Sequence, residues 1–354
     1  MKVLYLCFTP HHIRIANYLS KNTYKIADNH LILSSCSGIN ESILKKFINL
    51  NNYNKFEYID IDLSMMRVLR EGFKYINNYR QNIDLFLSTA KKYEYDKIVY
   101  FSDNPVAYQL LFNDIKEEKR KTVLMFAEEG LGMYSERNSF SFRYKLHIYF
   151  AKIINKNKNI DVFCHGKGGF EDEILLREPD LVKSKGKKIT LSKEEFRAIM
   201  TSDSKKDKCI SLDSAALFCP SYLVTDTIIR NKIFDEIFSV YYKNNVKLYV
   251  KLHPSEKEIE TLKKMITKYN GYIIIVDKND ITAEDLLMNT NIHEIISDIS
   301  SVLVNAYYLR DNINLISYYK MLVNKYKIKI EFQCSIFDNL IDQGIIKDFI
   351  PLDS

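Results

Sequence analysis

Three short groups of residues have the types that move a proton or hold an anion. Glu128-Glu129-Gly130 closes the apolar run TVLMFAEE. A carboxylate at the C-terminal end of a parallel strand faces the crevice, where it can accept a proton from an attacking hydroxyl. Adjacent strand residues point to opposite faces, so one glutamate can do chemistry while the other anchors the turn that begins at Gly130. His253-Pro254 closes VKLYVKL, whose period of two puts Lys247, Tyr249, Lys251 and His253 on one face. An imidazole delivered to that strand end can protonate or hydrogen-bond a departing phosphate, and Lys251 beside it adds charge stabilisation. Ser300-Ser301 follow EIISDI and open the helix-like VLVNAYYL. Hydroxyls and backbone N–H groups at a helix N-terminus bind phosphate or carboxylate. Each group also has a plain structural explanation: a polar strand end, a chance pair, an N-cap serine. What joins them is position. All three fall at expected strand C-termini, one in the first half of the chain and two in the second, around an expected interdomain cleft.

The elements that would position them are legible as alternation. Short apolar runs (KVLYLCF, HLILSS, FEYIDI, KIVYFS, TVLMFAEE, DVFCHG, then ALFCPS, VKLYVKL, YIIIV, EIISD and INLISYY) recur with helix-like segments between them, which means α/β with parallel sheets. A chain of 354 residues exceeds one ordinary core and suits two domains. The polar stretch from Lys183 to Asp207 separates the two groups of runs, giving domains over 1–190 and 208–354 with a linker over 191–207. The first strand runs into Thr9-Pro10, a helix cap and first-turn proline, which sets His11 and His12 near a helix N-terminus at the cleft end of the sheet. Asp103-Asn104, after KIVYFS, and Pro220-Ser221, after ALFC, are further strand-end candidates.

An acidic pair followed by glycine, a His-Pro and a serine pair, in that order, resembles the bacterial sialyltransferases. Among them the chain looks most like glycosyltransferase family 52, the lipooligosaccharide and capsule sialyltransferases. The resemblance implies a GT-B fold of two Rossmann-like domains with parallel sheets facing the cleft. It also implies CMP-sialic acid as donor, a galactose-terminated or sialylated cell-surface glycan as acceptor, inversion at the anomeric carbon, no cofactor and no metal. Carried over residue by residue, it points to Glu128 as the base, His253 as the acid, and Ser300 and Ser301 as holders of the donor phosphate or carboxylate. Lys251, Pro254, Pro220 and Ser221 then fall on the donor side, in the C-terminal domain. Thr9, Pro10, His11, His12, Asp103, Asn104 and Gly130 fall on the acceptor side, in the N-terminal one. Family 52 draws its base from an aspartate upstream of His-Pro; Asp226 in CPSYLVTD fits that description, so Glu128, Asp226 and Glu129 all stand as candidates. Relatives suggest a homodimer.

Other signals carry less. Asp60-Ile61-Asp62 has the D-x-D form of metal-dependent glycosyltransferases but no further ligand cluster, and hard cations need several oxygens. GKGGF at 166–170 lacks P-loop spacing and is expected as a glycine-rich turn. Residues 137–158 mix aromatic and basic side chains at helical spacing, suiting a packed helix or a peripheral contact with the inner membrane surface. The balance of 51 basic to 45 acidic residues, +6, suits an anionic substrate without requiring one, and nothing points to nucleic acid. Six cysteines without any C-x-x-C pair fit free thiols in a reducing compartment, hence a cytoplasmic enzyme. The N-terminus reads as a strand rather than a signal peptide, and no run approaches membrane-spanning length.

Overall fold

The computed structural model describes the chain except residues 36–40, 62–71, 137–141, 156–158, 162–165, 202–214, 222, 225, 254–255, 257, 277–280, 331–332 and 352–354. Pro254, Asp62, Cys36, Cys164, Cys209 and the DVFCHG run from Val162 to His165 therefore lie outside the described residues. The chain forms two units, Met1–Asp203 and Ser204–Ser354.

The first unit is built on β1 (Lys2–Cys7), β2 (Asp28–Ser34), β3 (Lys55–Ile59), β4 (Lys97–Tyr100), β5 (Val123–Ala127), β6 (Glu173–Leu176) and β7 (Lys187–Thr190). They line up as β3-β2-β1-β4-β5-β6-β7, every neighbouring pair parallel. Tyr5 in β1 sits opposite Leu31 on one side and Val99 on the other. From Val3 to Cys7 every residue is buried, as continuous apolar runs require when helices cover both faces of a sheet. The order reverses between β1 and β4, which makes the C-terminal ends of those two strands the switch point where such sheets bind ligands.

The second unit repeats the plan with β8 (Ala216–Phe218), β9 (Leu248–Val250), β10 (Ile273–Ile275), β11 (Glu294–Ser297), β12 (Asn314–Ser317) and β13 (Ile346–Asp348). Their order is β10-β9-β8-β11-β12-β13, again all parallel, with the switch point between β8 and β11. Phe218 anchors its core, meeting Phe234 edge-on at 5.1 Å and Phe238 at 5.9 Å. Both units are therefore Rossmann-like, as the alternating runs imply.

The polar stretch from Lys183 to Asp207, which holds the expected linker over 191–207, contains regular structure. Residues 187–190 form β7, and α4 (Lys193–Thr201) buries Phe196, Ile199 and Met200 in the first unit. The stretch looks polar because β7 is an edge strand with three exposed or half-exposed lysine and isoleucine positions, and edges carry charge to avoid pairing with other chains. The other helices used below are α1 (Pro10–Tyr18), α2 (Val106–Glu117), α3 (Phe142–Ile154), α5 (Thr227–Lys243) and α6 (Ser301–Leu309). Among the described residues no helix is long and apolar enough to cross a membrane. Cys7, Cys219 and Cys334 are buried.

Candidate functional site

At the switch point of the first sheet, Thr9 caps α1, its hydroxyl accepting from the His12 N–H at 3.2 Å, and Pro10 occupies the first turn. The cap turns the chain so that His12 lies across the strand ends. Its ring is fully buried, stacked on Phe101 with centroids 4.4 Å apart and planes 6° apart, and meets Phe8 edge-on at 4.4 Å. His12 Nε2 faces Glu129 Oε1 at 3.9 Å. His11 points elsewhere: burial first, then Arg177, pull its pKa down to about 4, so it is neutral at physiological pH.

The two glutamates after β5 separate as strand alternation requires. Glu128 is buried, and Arg177, which follows β6, holds it from the guanidinium: Nε donates to Glu128 Oε1 at 2.5 Å, and Nη2 contacts the same oxygen. Glu128 Oε2 accepts from the Arg177 N–H at 2.7 Å and from the Tyr134 hydroxyl at 2.9 Å. The Tyr134 hydroxyl in turn accepts from the Glu178 N–H at 3.0 Å. Phe196 of α4 closes the network, its ring 4.5 Å from the guanidinium carbon. Glu128 is thus the anchoring member of the pair. Glu129 is the one whose side chain keeps access to solvent, at 19%. Gly130 takes φ of +131°, which a side chain would strain.

Asp103 and Asn104 serve the scaffold. Asp103 is buried and accepts from the Gly166 N–H at 2.8 Å and the Gly168 N–H at 2.6 Å, so it ties down the glycine-rich turn. A Cβ on Gly168 would lie 2.7 Å from Asp103 Oδ2, which is why glycine stands there. The Asn104 N–H donates to Ser102 Oγ at 3.2 Å, and its carbonyl receives Gln109 of α2 at 3.5 Å. Asp60, past the end of β3, accepts from the Ser35 hydroxyl.

In the second unit, Ser300 caps α6, its hydroxyl accepting from the Val302 N–H at 3.3 Å, and Ser301 begins the helix. Both are half-buried at the C-terminal side of β11. Beside them Asp298 is buried between loops. Its Oδ2 accepts from the Ser221 hydroxyl and, at 3.2 Å, from the Tyr318 hydroxyl, while Oδ1 is buried without a hydrogen-bond partner. Burial pushes the Asp298 carboxyl up to about 6. Pro220 is buried and Ser221 half-buried after β8. Lys251 and His253 follow β9; the Lys251 N–H donates to the Phe218 carbonyl at 2.9 Å. His253 is exposed, and desolvation lowers its pKa against an opposing pull from Glu256. Asp226 is the exposed N-cap of α5, its Oδ1 accepting from the N–H groups of Ile228 and Ile229 at 2.9 and 3.0 Å.

The structure thus brings His12, whose helix Thr9 caps, against Glu129 at one switch point, and joins Ser221 to Asp298, two residues before Ser300, at the other. It holds Glu128 against Arg177 and Tyr134, Asp103 against the glycine-rich turn and Asp226 against the start of α5. Arg177, Tyr134, Asp298 and Tyr318 escaped sequence reasoning. Arg177 ends the run EILLR and Asp298 precedes the serine pair, so each stands at a strand end where a charge needs a reason. Among the described residues no group of three or more His, Cys, Asp and Glu is arranged to hold a metal ion.

Two parallel α/β units of Rossmann order define a protein of GT-B type. Solved structures share that architecture. UDP-GlcNAc 2-epimerase from Neisseria meningitidis, bound to UDP-GlcNAc, superposes with a TM-score of 0.59 at 12% identity, covering 98% of this chain and 87% of that one. The Staphylococcus aureus MnaA structure with UDP gives 0.59 at 11% identity over 98% and 84%. The Methanocaldococcus jannaschii UDP-GlcNAc 2-epimerase with UDP-GlcNAc and UDP gives 0.54 at 13% over 99% and 89%. No curated protein matches the chain in sequence. The chain belongs to the alpha-2,8-polysialyltransferase family, whose sequence model matches residues 3–319. That family supports a sialyltransferase without naming family 52.

Proposed function

We propose that this chain is an inverting, metal-independent sialyltransferase that moves sialic acid from CMP-sialic acid to a hydroxyl of a sialylated or galactose-terminated cell-surface glycan, in lipooligosaccharide or capsule. The family match carries the activity, since it spans the acidic pair, His253 and the serine pair. The family's name favours a sialylated acceptor and an α2,8 linkage. The first unit serves the acceptor and the second the donor. Glu129 is the base in this proposal, because Arg177 engages both oxygens of Glu128 and Asp226 spends an oxygen on capping α5.

Glu129 takes the proton of the acceptor hydroxyl as that oxygen bonds to the anomeric carbon of sialic acid. The bond from that carbon to the CMP phosphate breaks, and its electron pair leaves on phosphate. His253 supplies a proton or hydrogen bond to the departing phosphate, with Lys251 adding charge. The N-terminus of α6, with Ser300 and Ser301, holds an anionic group of the donor. Sialic acid brings its own carboxylate and leaves as an oxocarbenium-like centre, so a base, a histidine and a helix N-terminus suffice for the chemistry. The enzyme works in the cytoplasm, as a homodimer, with α3 against the inner membrane surface.

The test is CMP release from CMP-sialic acid in the presence of EDTA, with lactose or an oligosaccharide of α2,8-linked sialic acid as acceptor. Release that survives EDTA, and falls at least about a hundredfold in Glu129→Gln and in His253→Ala, is the expected result. Folded protein that releases no CMP with either acceptor overturns the proposal and leaves another donor sugar or a binding role in capsule assembly.

A further inference from the structure

His12 has no part in the chemistry above, yet it is a fully buried histidine at the switch point of the first sheet. Its Nδ1 receives the Phe8 backbone N–H at 3.4 Å. A ring nitrogen that accepts carries no proton, so the neutral imidazole bears its hydrogen on Nε2. Nε2 is the nitrogen that faces Glu129 Oε1, at 3.9 Å. The face-to-face stack on Phe101 and the edge contact with Phe8 fix the plane of the ring and hence the direction of that N–H.

We infer that His12 is the positioning residue of Glu129: its Nε2–H closes onto one carboxylate oxygen when substrate is bound and fixes the orientation of the carboxylate. Hydrogen bonds of catalytic groups are commonly long in the free enzyme and tighten in the complex, which covers the distance from 3.9 Å to contact. The acceptor's proton ends on Glu129. The other charged groups nearby are engaged differently. Arg177 and Glu128 pair with each other, and Arg14 of α1 lies 5.4 Å over the Phe47 ring and 3.6 Å from the Met200 sulfur. This inference rests on Glu129 being the base.

Two variants separate contact from packing. Both His12→Asn and His12→Gln lose the Phe101 stack, but only glutamine has an amide long enough to stand where Nε2 stands. The measurement is the pH dependence of kcat for CMP release from CMP-sialic acid, with KM for the donor. Loss of a donor to the base makes the carboxylate easier to protonate, so the acid limb of His12→Asn moves to higher pH. Its kcat falls roughly ten- to hundredfold while donor KM holds. His12→Gln returns both toward wild type. A purely structural role would lower activity equally at every pH in both variants, and an acid limb unmoved in His12→Asn overturns the inference. If Glu129→Gln keeps full activity, the assignment of the base fails instead; if wild type releases no CMP, both fail.

Discussion

The hydroxyl of Ser221 donates to the carboxylate of Asp298, joining the loop after β8 to the loop after β11 across the second switch point. Asp298 is buried, and its pKa rises from 3.8 to about 6. A folded-state value above the unfolded one means that the neutral acid stabilises the fold at low pH, and that this stability is lost as pH rises through about 6. Asp298→Asn removes the charge while keeping the shape. The variant is expected to match wild type near pH 4, gain on it between pH 4 and 6, and hold a lead of up to about 3 kcal/mol above that. Urea unfolding across that range checks it; a constant difference would rule it out.

The Glu128 and Arg177 pair predicts an asymmetry. Arg177→Met strands a buried carboxylate and costs about 3–5 kcal/mol, whereas the double variant Glu128→Leu, Arg177→Met recovers most of the loss. Chemical denaturation of the three proteins gives the coupling directly. Equal costs for the single and double variants would contradict the description of Glu128 as an anchor.

Ser300 faces a subtler experiment, because it both caps α6 and, as proposed, meets an anion. Ser300→Ala should reduce affinity for CMP about tenfold, the worth of one charge-assisted hydrogen bond. Ser300→Asp keeps a capping oxygen but adds like charge, so it should preserve thermal stability and weaken CMP further. Calorimetric titration with CMP separates them; aspartate binding CMP as well as serine does would remove Ser300 from the donor site.

The helix α3 carries the membrane prediction. Ile148, Ala151 and Ile154 are buried, while Lys145, Tyr149 at 61% and Ile153 at 53% exposure lie along the opposite stripe. Charge reversal at Arg143, Lys145 and Lys152 should abolish co-sedimentation with vesicles of anionic phospholipid, and so should raised salt. Sedimentation unchanged by both would leave α3 without a lipid role.

How much of this could be seen in the sequence differs by kind of residue. The strands that carry the site are continuous apolar runs, and burial on both faces of a parallel sheet leaves no other composition available to them. β7 escaped because an edge strand has no such requirement, and its lysines resemble a linker. Thr9 and Ser300 were legible as caps, since capping is local and depends on a few neighbouring positions. That Glu128 and Glu129 turn to opposite faces was legible from strand alternation, but the resemblance pointed to Glu128 as the base and no local pattern showed the ion pair that holds it. That pair depends on Arg177, 49 residues away, and no local rule reaches so far.

That same separation bears on how the first unit assembles. The ion pair links residues just past two neighbouring strands, 49 positions apart in the chain, so it can form only after the segment between them has been gathered into a closed loop. If the pair forms after the folding transition state, weakening it leaves the refolding rate almost unchanged and quickens unfolding, which stopped-flow folding and unfolding of Arg177→Met would measure. In that case Arg177 is expected to act as a latch on the lifetime of the native state, contributing little to how fast the sheet is made and much to how long it lasts.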